Sequence, residues 1–285
     1  MKPNFSEIRD RLQFVGHARD SYDLARFPDF FVIGPQRTGT TWLYRQLSLH
    51  PEVFIPTQKE LYYFSNLEFP ENHPASLPPV DRELGWYLDC FDVPDDVRAE
   101  RQQQAQEMFG RDFTPKYLGE ATATYAAALR GEIIDEVLLL NPDIKVITMV
   151  RDPIERAWSH AKKDLCRERS RSVEDVPTEE WLEFFRRPYQ VKAGHYSRFL
   201  PRWQERIPEQ NLLIGRFLDV AGDPFALLRR VYELIGLDCD ERFFPETASK
   251  RINPTEGSDI PPNLLDELES LFGEERELLR QHGMI

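Results

Sequence analysis

Short apolar runs alternate along this chain with longer amphipathic stretches, and glycine, proline or aspartate marks most of the junctions. Phe30-Phe31-Val32-Ile33 ends on glycine, the pattern of a buried parallel strand, which predicts a first strand over about 29 to 33. From Thr40 onward, Trp42, Leu43, Leu47 and Leu49 fall near helical spacing until Pro51 stops the helix. Residues 1 to 27 read as an N-terminal helix and approach segment. Residues 66 to 115 are rich in Pro, Asp, Glu and Gln, which predicts loop and surface helix anchored through Trp86-Tyr87-Leu88. Gly131 to Leu140 reads as a helix, and after the Asn141-Pro142-Asp143 break Lys145 to Val150 reads as a second strand, rich in β-branched residues. Asp152 as N-cap, Pro153 at the first helical position and Glu155 two residues later then mark a helix start. Residues 181 to 206 read as helical and basic, and Asn211 to Phe217 as a third strand. A helix from Asp223-Pro224 runs to Ile235 and closes on Gly236, and NLLDELESLFGEERELLRQH predicts a final amphipathic helix packed on the domain. Strands alternating with helices imply an α/β fold whose parallel sheet is covered on both faces.

Composition narrows the function classes. The 285 residues include 41% hydrophobic and 12% aromatic residues, enough for a substantial core, so wholesale disorder is excluded. With 36 Lys+Arg against 49 Asp+Glu the net charge is −13, which argues against a broad nucleic-acid-binding face. No apolar run approaches the roughly 18 residues of a membrane span, and charges interrupt the start MKPNFSEIRDRLQF. A soluble, cytoplasmic protein is expected. Cys90, Cys166 and Cys239 are odd in number and widely spaced, which predicts buried thiols rather than disulfides or a zinc site. The six histidines lack any HExxH-type spacing, so no catalytic metal is expected.

Gly34-Pro35-Gln36-Arg37-Thr38-Gly39-Thr40-Thr41 joins the first strand to the following helix, with two glycines five apart. Such a turn points backbone N–H groups inward, and the helix dipole adds about half a positive charge there, so an anion is favoured. The alternative is a tight connection with no ligand. Against the nucleotide-triphosphatase pattern GxxxxGK[ST], Thr40 stands where the lysine would be, and the cation has moved to Arg37. Val150-Arg151-Asp152-Pro153 repeats the arrangement, delivering Arg151 to the carboxyl edge where open α/β sheets bind ligands. By itself Arg151 also reads as the partner of Asp152 or Glu155.

The stretch PQRTGTTWLYRQLSLHP resembles the 5′-phosphosulfate loop of sulfotransferases that use 3′-phosphoadenosine 5′-phosphosulfate (PAPS), and VRDPIERAWSH resembles their 3′-phosphate motif. The likeness extends through LHPEVFIPTQKELYYF, LGWYLDCF, YLGEATATYA and LIGRFLDVAGDPFALLRRVYELIGL, about residues 29 to 240. It is most similar to the glycan, heparan sulfate type, branch and its bacterial relatives. The resemblance implies a P-loop-like three-layer fold, with one domain over residues 1 to 285 that ends in a basic loop and amphipathic helix from 241. It implies PAPS as co-substrate and no metal. By the same resemblance Arg37 is the catalytic cation, and Thr38, Gly39, Thr40 and Thr41 form the 5′-phosphate cradle. Arg151 and Ser159 are the 3′-phosphate pair, and Lys250 and Arg251 lie in a late basic loop closing over that phosphate. Tyr196 lies in a matching stretch without an assigned contact. Glu60, in a segment similar to the branch's Glu-bearing one, is the general base; its bland reading is a surface pair with Lys59. His160 is read as structural.

The chain also departs from that branch. Glu120-Ala121-Thr122 falls where many heparan enzymes have Glu-Lys-Thr, and Tyr62 where some have histidine. Fewer cations around the acceptor favour a neutral sugar, a lipid-linked glycan or a small hydroxylated molecule over a polyanion. Tyr62, Tyr63, Phe64, Trp86 and Tyr87 are candidates for an aromatic cleft or for core. Charge is also unevenly distributed: residues 145 to 171 and 181 to 206 each net +4, whereas 68 to 112 net −7 and 256 to 285 net −6. The inferred cofactor edge is therefore locally basic, while a long sulfated polymer is disfavoured. The rival readings are a P-loop-type nucleotide-dependent kinase and a nucleotide-binding protein without catalysis.

Overall fold

The computed structural model describes residues 1–68, 80–249 and 259–285. Five strands, β1 (Phe30–Gly34), β2 (Val53–Phe54), β3 (Tyr117–Ala121), β4 (Lys145–Val150) and β5 (Leu212–Arg216), form one sheet in the order β2-β3-β1-β4-β5. All four pairings are parallel. β1 is central, and the chain crosses to opposite sides of it, so the switch point where α/β folds bind ligands lies at its carboxyl end.

Alternation along the strands explains why both faces are covered. In β1, Phe31 and Ile33 enter a core shared with the helices Gly131–Leu140 and Tyr196–Gln204. Phe30 and Val32 enter the opposite core, with Trp42, Leu43 and Leu47 of the Thr40–Leu49 helix and Leu227, Leu228 and Val231 of the Pro224–Ile235 helix. The expected three-layer α/β architecture is therefore present. A third cluster stands beside it: Leu264, Leu268 and Phe272 of the Pro262–Gln281 helix pack with Trp158, Trp181 and Phe184.

Several expectations need correction. β2 and β3 were not anticipated: β2 is two residues long, and β3 carries Gly119 and Glu120, which depress a strand signal. Within residues 1 to 27 only Phe5–Ile8 is α-helical, followed by single 3-10 turns at Arg9–Arg11 and Leu24–Arg26. The basic helical stretch is three helices, Thr178–Arg186, Pro188–Gly194 and Tyr196–Gln204, because Pro188 forces Arg187 into extended backbone. Of the three thiols, all free, Cys166 is buried while Cys90 and Cys239 are only partly so.

Candidate active site

The glycine turn is held open by its two ends. Gly34 has φ +98°, and a Cβ there would stand 2.1 Å from the Ala123 carbonyl oxygen, so no side chain is accommodated. Thr148, a polar residue inside β4, donates its hydroxyl to the Gly34 carbonyl at 2.7 Å and ties the turn to the sheet. At the far end Gly39 caps the Thr40–Leu49 helix with φ +99°, where residues with a Cβ are strained. No side chain caps this helix, so its first N–H groups face the turn as anion donors. Thr38 is fully buried, and its hydroxyl donates to the Pro35 carbonyl at 2.7 Å. Its hydroxyl hydrogen is therefore committed to the turn itself. Thr40 is buried in the first helical turn, and Thr41 is half-buried beside it.

Arg37 sits in the turn with φ 71°, and its Nε donates to Ser159 Oγ at 2.9 Å. Ser159 is buried on the Pro153–Ala161 helix, whose start Asp152 fixes by accepting from the N–H groups of Ile154 and Glu155 at 2.9 and 3.2 Å. Arg151, at the end of β4, donates Nη1 to the Arg37 carbonyl at 3.0 Å and lies with its guanidinium carbon 4.4 Å from the Phe217 ring centre. A longer contact of 3.4 Å links it to the exposed Glu155. The backbone N–H of Arg151 also donates to the Tyr196 hydroxyl at 3.3 Å. Burial pushes the Arg37 guanidinium below its ordinary value; the positive charges of Arg151 and Arg167 push the same way, and Asp164 opposes them. Burial likewise lowers Arg151, against the pull of Glu155. Two desolvated guanidinium groups at adjoining strand ends, beside uncapped helix N–H groups, make a site that a multiply charged anion stabilises.

Glu60 approaches from the β3 side. Its backbone N–H donates to the Ala121 carbonyl at 3.0 Å, and its Oε2 accepts from the Ala123 N–H at 2.7 Å. Oε1 pairs with Lys59, so the pair expected from the dipeptide exists, in a partly buried setting with Glu60 18% exposed. Glu60 and Tyr62 have φ 68° and 59°; with Arg37 they are three of the four positive-φ residues other than glycine among the described residues. Such conformations cost about 1–3 kcal/mol each and persist where surrounding contacts over-determine them, often at functional sites. Ala123 links the two halves, since its carbonyl crowds Gly34 while its N–H holds Glu60.

Arg37, Gly39, Arg151 and Ser159 are therefore drawn together, and Glu60 is held against the same β3 end that abuts the turn. Lys250 and Arg251 lie outside the described residues. His160 is buried, and desolvation together with the charges of Arg156, Lys163 and Arg37 holds it well below its ordinary value, hence neutral. Tyr63, Phe64 and Tyr87 belong to the core rather than to an open cleft, whereas Tyr62 and Trp86 are partly exposed. Sequence reasoning passed over Thr148, Phe217 and Tyr189, whose hydroxyl donates to Gln36 in the turn. A threonine within an otherwise apolar strand was the available signal for Thr148; Phe217 and Tyr189 carried none.

With this geometry in hand, similarity to known proteins becomes informative. A model of the sulfotransferase family matches residues 28–241. The human bifunctional heparan sulfate N-deacetylase/N-sulfotransferase 3 is 28% identical over 232 residues, which are 74% of this chain but 22% of that protein. The chain thus corresponds to about a fifth of this relative's length. Among solved structures, a sulfotransferase from Alicyclobacillus acidocaldarius is 25% identical with a TM-score of 0.62, covering 87% of this chain and 92% of that one. Mouse sulfotransferase SULT7A1, complexed with PAP, shares the fold at 15% identity and a TM-score of 0.50, covering 95% of this chain and 91% of that one. The glycine turn and the arginine at the next strand end lie within the matched span, and this chain belongs to the sulfotransferase family.

Proposed function

We propose that the protein transfers the sulfuryl group of PAPS to a hydroxyl or amine of a carbohydrate or small natural-product acceptor. The observation that carries this reading is the meeting of Arg37, Ser159 and Arg151 at the carboxyl ends of β1 and β4, beside the uncapped helix start at Gly39. The half-buried cations and uncapped N–H donors suit a ligand bearing two separated phosphates. Arg37 and the turn's N–H groups would hold the 5′-phosphate, and Arg151 and Ser159 the 3′-phosphate, with Lys250 and Arg251 assigned to the same phosphate by resemblance alone. Bound PAPS supplies the sulfuryl group, and its 5′-phosphate oxygen is the leaving group.

Within this scheme Arg37 stabilises negative charge on the leaving oxygen, the kind of electrostatic help worth about 10²- to 10³-fold per donor. Glu60 Oε2 or Oε1 takes the acceptor's proton, a contribution of about 10²- to 10⁴-fold. Its anchoring through the Ala123 N–H restricts the carboxylate to few orientations before the acceptor arrives. A compact, uncharged acceptor suits the net negative surface and the alanine at position 121. The family relative named for heparan sulfate supports a carbohydrate as the first class to try. No helix among the described residues is long and apolar enough to cross a membrane. The free thiols suit the reducing cytoplasm, which is the proposed location.

The deciding experiment is calorimetric titration with PAP followed by incubation with labelled PAPS and a panel of glucosamine, N-acetylglucosamine, lipid-linked sugars and phenols. The reading expects PAP binding and label transfer to at least one acceptor; absence of PAP binding overturns it.

A further inference from the structure

Behind Glu60 lies a carboxyl group that the transfer chemistry does not use. Glu120, at the end of β3, is 1% exposed and has no cation partner among the described residues. Three hydroxyls serve it instead: Thr122 donates to Oε1 at 2.6 Å, Tyr125 donates to Oε1 at 2.7 Å, and Tyr87 donates to Oε2. Burying a carboxyl costs several kcal/mol unless it is hydrogen-bonded, so three donors on one group call for an explanation.

Two of those hydroxyls reach further. Thr122 Oγ1 accepts from the Leu61 N–H at 3.0 Å, and the Tyr125 hydroxyl accepts from the Phe64 N–H at 3.2 Å. A hydroxyl has one hydrogen, and when that hydrogen is committed to Glu120 its lone pairs are aimed elsewhere. Glu120 thereby orients two acceptors toward the N–H groups of residues 61 and 64, which bracket the left-handed Tyr62, the first of them directly following the left-handed Glu60. The adjoining bonds, Glu60 N–H to the Ala121 carbonyl and Ala123 N–H to Glu60 Oε2, tie the same two segments together.

We propose that Glu120 and Thr122 are positioning residues for Glu60, acting through the hydroxyl relay to the Leu61 N–H. The claim rests on Glu60 being the base, while its structural half stands apart from that reading. Glutamine at position 120 keeps an oxygen for Thr122 and Tyr125 and offers Tyr87 an N–H, so the relay survives. Alanine there releases both hydroxyls.

The test compares Thr122→Val, Thr122→Ser, Glu120→Gln and Glu120→Ala with the wild type by amide hydrogen exchange at Leu61 and by steady-state kinetics with the best acceptor from the panel. Leu61 exchange should speed up at least about 10-fold in Thr122→Val and Glu120→Ala and stay unchanged in Thr122→Ser and Glu120→Gln, as expected when one hydrogen bond is lost. In the first two variants kcat should fall about 10-fold with the PAPS KM and PAP affinity unaltered; in a Glu60→Gln background Thr122→Val should cost nothing more. Unchanged Leu61 exchange in Thr122→Val, or a kcat loss that persists without the Glu60 carboxylate, overturns the proposal. Should Thr122→Val or Glu120→Ala fail to fold, Thr122→Ala is read on the same two measures. A wild type that transfers no sulfuryl group to any acceptor overturns the functional reading, and Leu61 exchange then still decides whether the relay exists.

Discussion

Arg37 and Ser159 are 122 positions apart in the chain and 2.9 Å apart in space, Nε donating to Oγ. One comes from the turn after β1 and the other from the second turn of the helix after β4, so this contact joins two segments that each read as half of a phosphate site. Removing the cation should damage both the transfer step and cofactor binding. Arg37→Ala is expected to lower kcat by about 10²- to 10³-fold and to weaken PAP binding, with Arg37→Lys recovering part of the rate. Steady-state kinetics with labelled PAPS and calorimetry with PAP check both.

Glu60→Gln separates the proposed base from the proposed phosphate cradle. The amide keeps an oxygen for the Ala123 N–H but cannot take a proton, so kcat should fall about 10²- to 10⁴-fold while PAP affinity stays at the wild-type value. Full turnover by this variant would show that another group accepts the proton.

Arg151 is tied to the Arg37 carbonyl and stacked on Phe217, which fixes its guanidinium in place. Arg151→Met should keep the fold and weaken PAP by about 10- to 100-fold, the worth of a charge-assisted hydrogen bond in a desolvated site. Adenosine 5′-phosphate, which lacks the 3′-phosphate, should lose far less. Equal losses for both nucleotides would contradict the assignment of Arg151 to the 3′-phosphate.

Glu120 makes stability pH-dependent. Burial raises its carboxyl to about 7, the three hydroxyls pull it down, and the charge of Glu60 adds to the rise. The folded state therefore binds a proton more tightly than the unfolded chain, whose glutamate lies near its ordinary value of about 4.5. This contribution is fully present below the unfolded value and is lost as pH rises from there through about 7. Thermal melting from pH 4.5 to 8 should show a decline attributable to this group in the wild type and a flatter profile in Glu120→Gln. Parallel profiles would mean that Glu120 titrates alike in both states.

Gly34→Ala tests the turn itself. With φ +98° and a Cβ position 2.1 Å from the Ala123 oxygen, the substitution must displace backbone. A loss of stability of at least about 1–3 kcal/mol is expected, with disruption of the Glu60 anchor through the same Ala123. Chemical denaturation measures it.

Where the information is local, the amino-acid sequence determined the outcome. The helix Gly131–Leu140 and the strand Lys145–Val150 have the bounds that periodicity and the Asn141-Pro142 break predict, and Asp152 caps its helix as its spacing requires. Apolar period, caps and turn residues act over a few neighbours, so a linear reading captures them. The glycine turn between β1 and the next helix was legible for the same reason, because its glycines, cation and helix start are contiguous. The tertiary structure alone decided what depends on distant partners. β2 and β3 exist through pairing across the sheet, and Tyr63, Phe64 and Tyr87 are core because helices close over them. Thr38 turns its hydroxyl to the Pro35 carbonyl three residues back, a local bond, yet the burial that favours it comes from the surrounding fold. The left-handed backbone at Glu60 and the buried Glu120 run against local preference. Contacts from residues about 60 positions away hold the Glu60 segment, and Tyr87, 33 positions away, closes over Glu120, so the folded chain brings these donors and acceptors within reach.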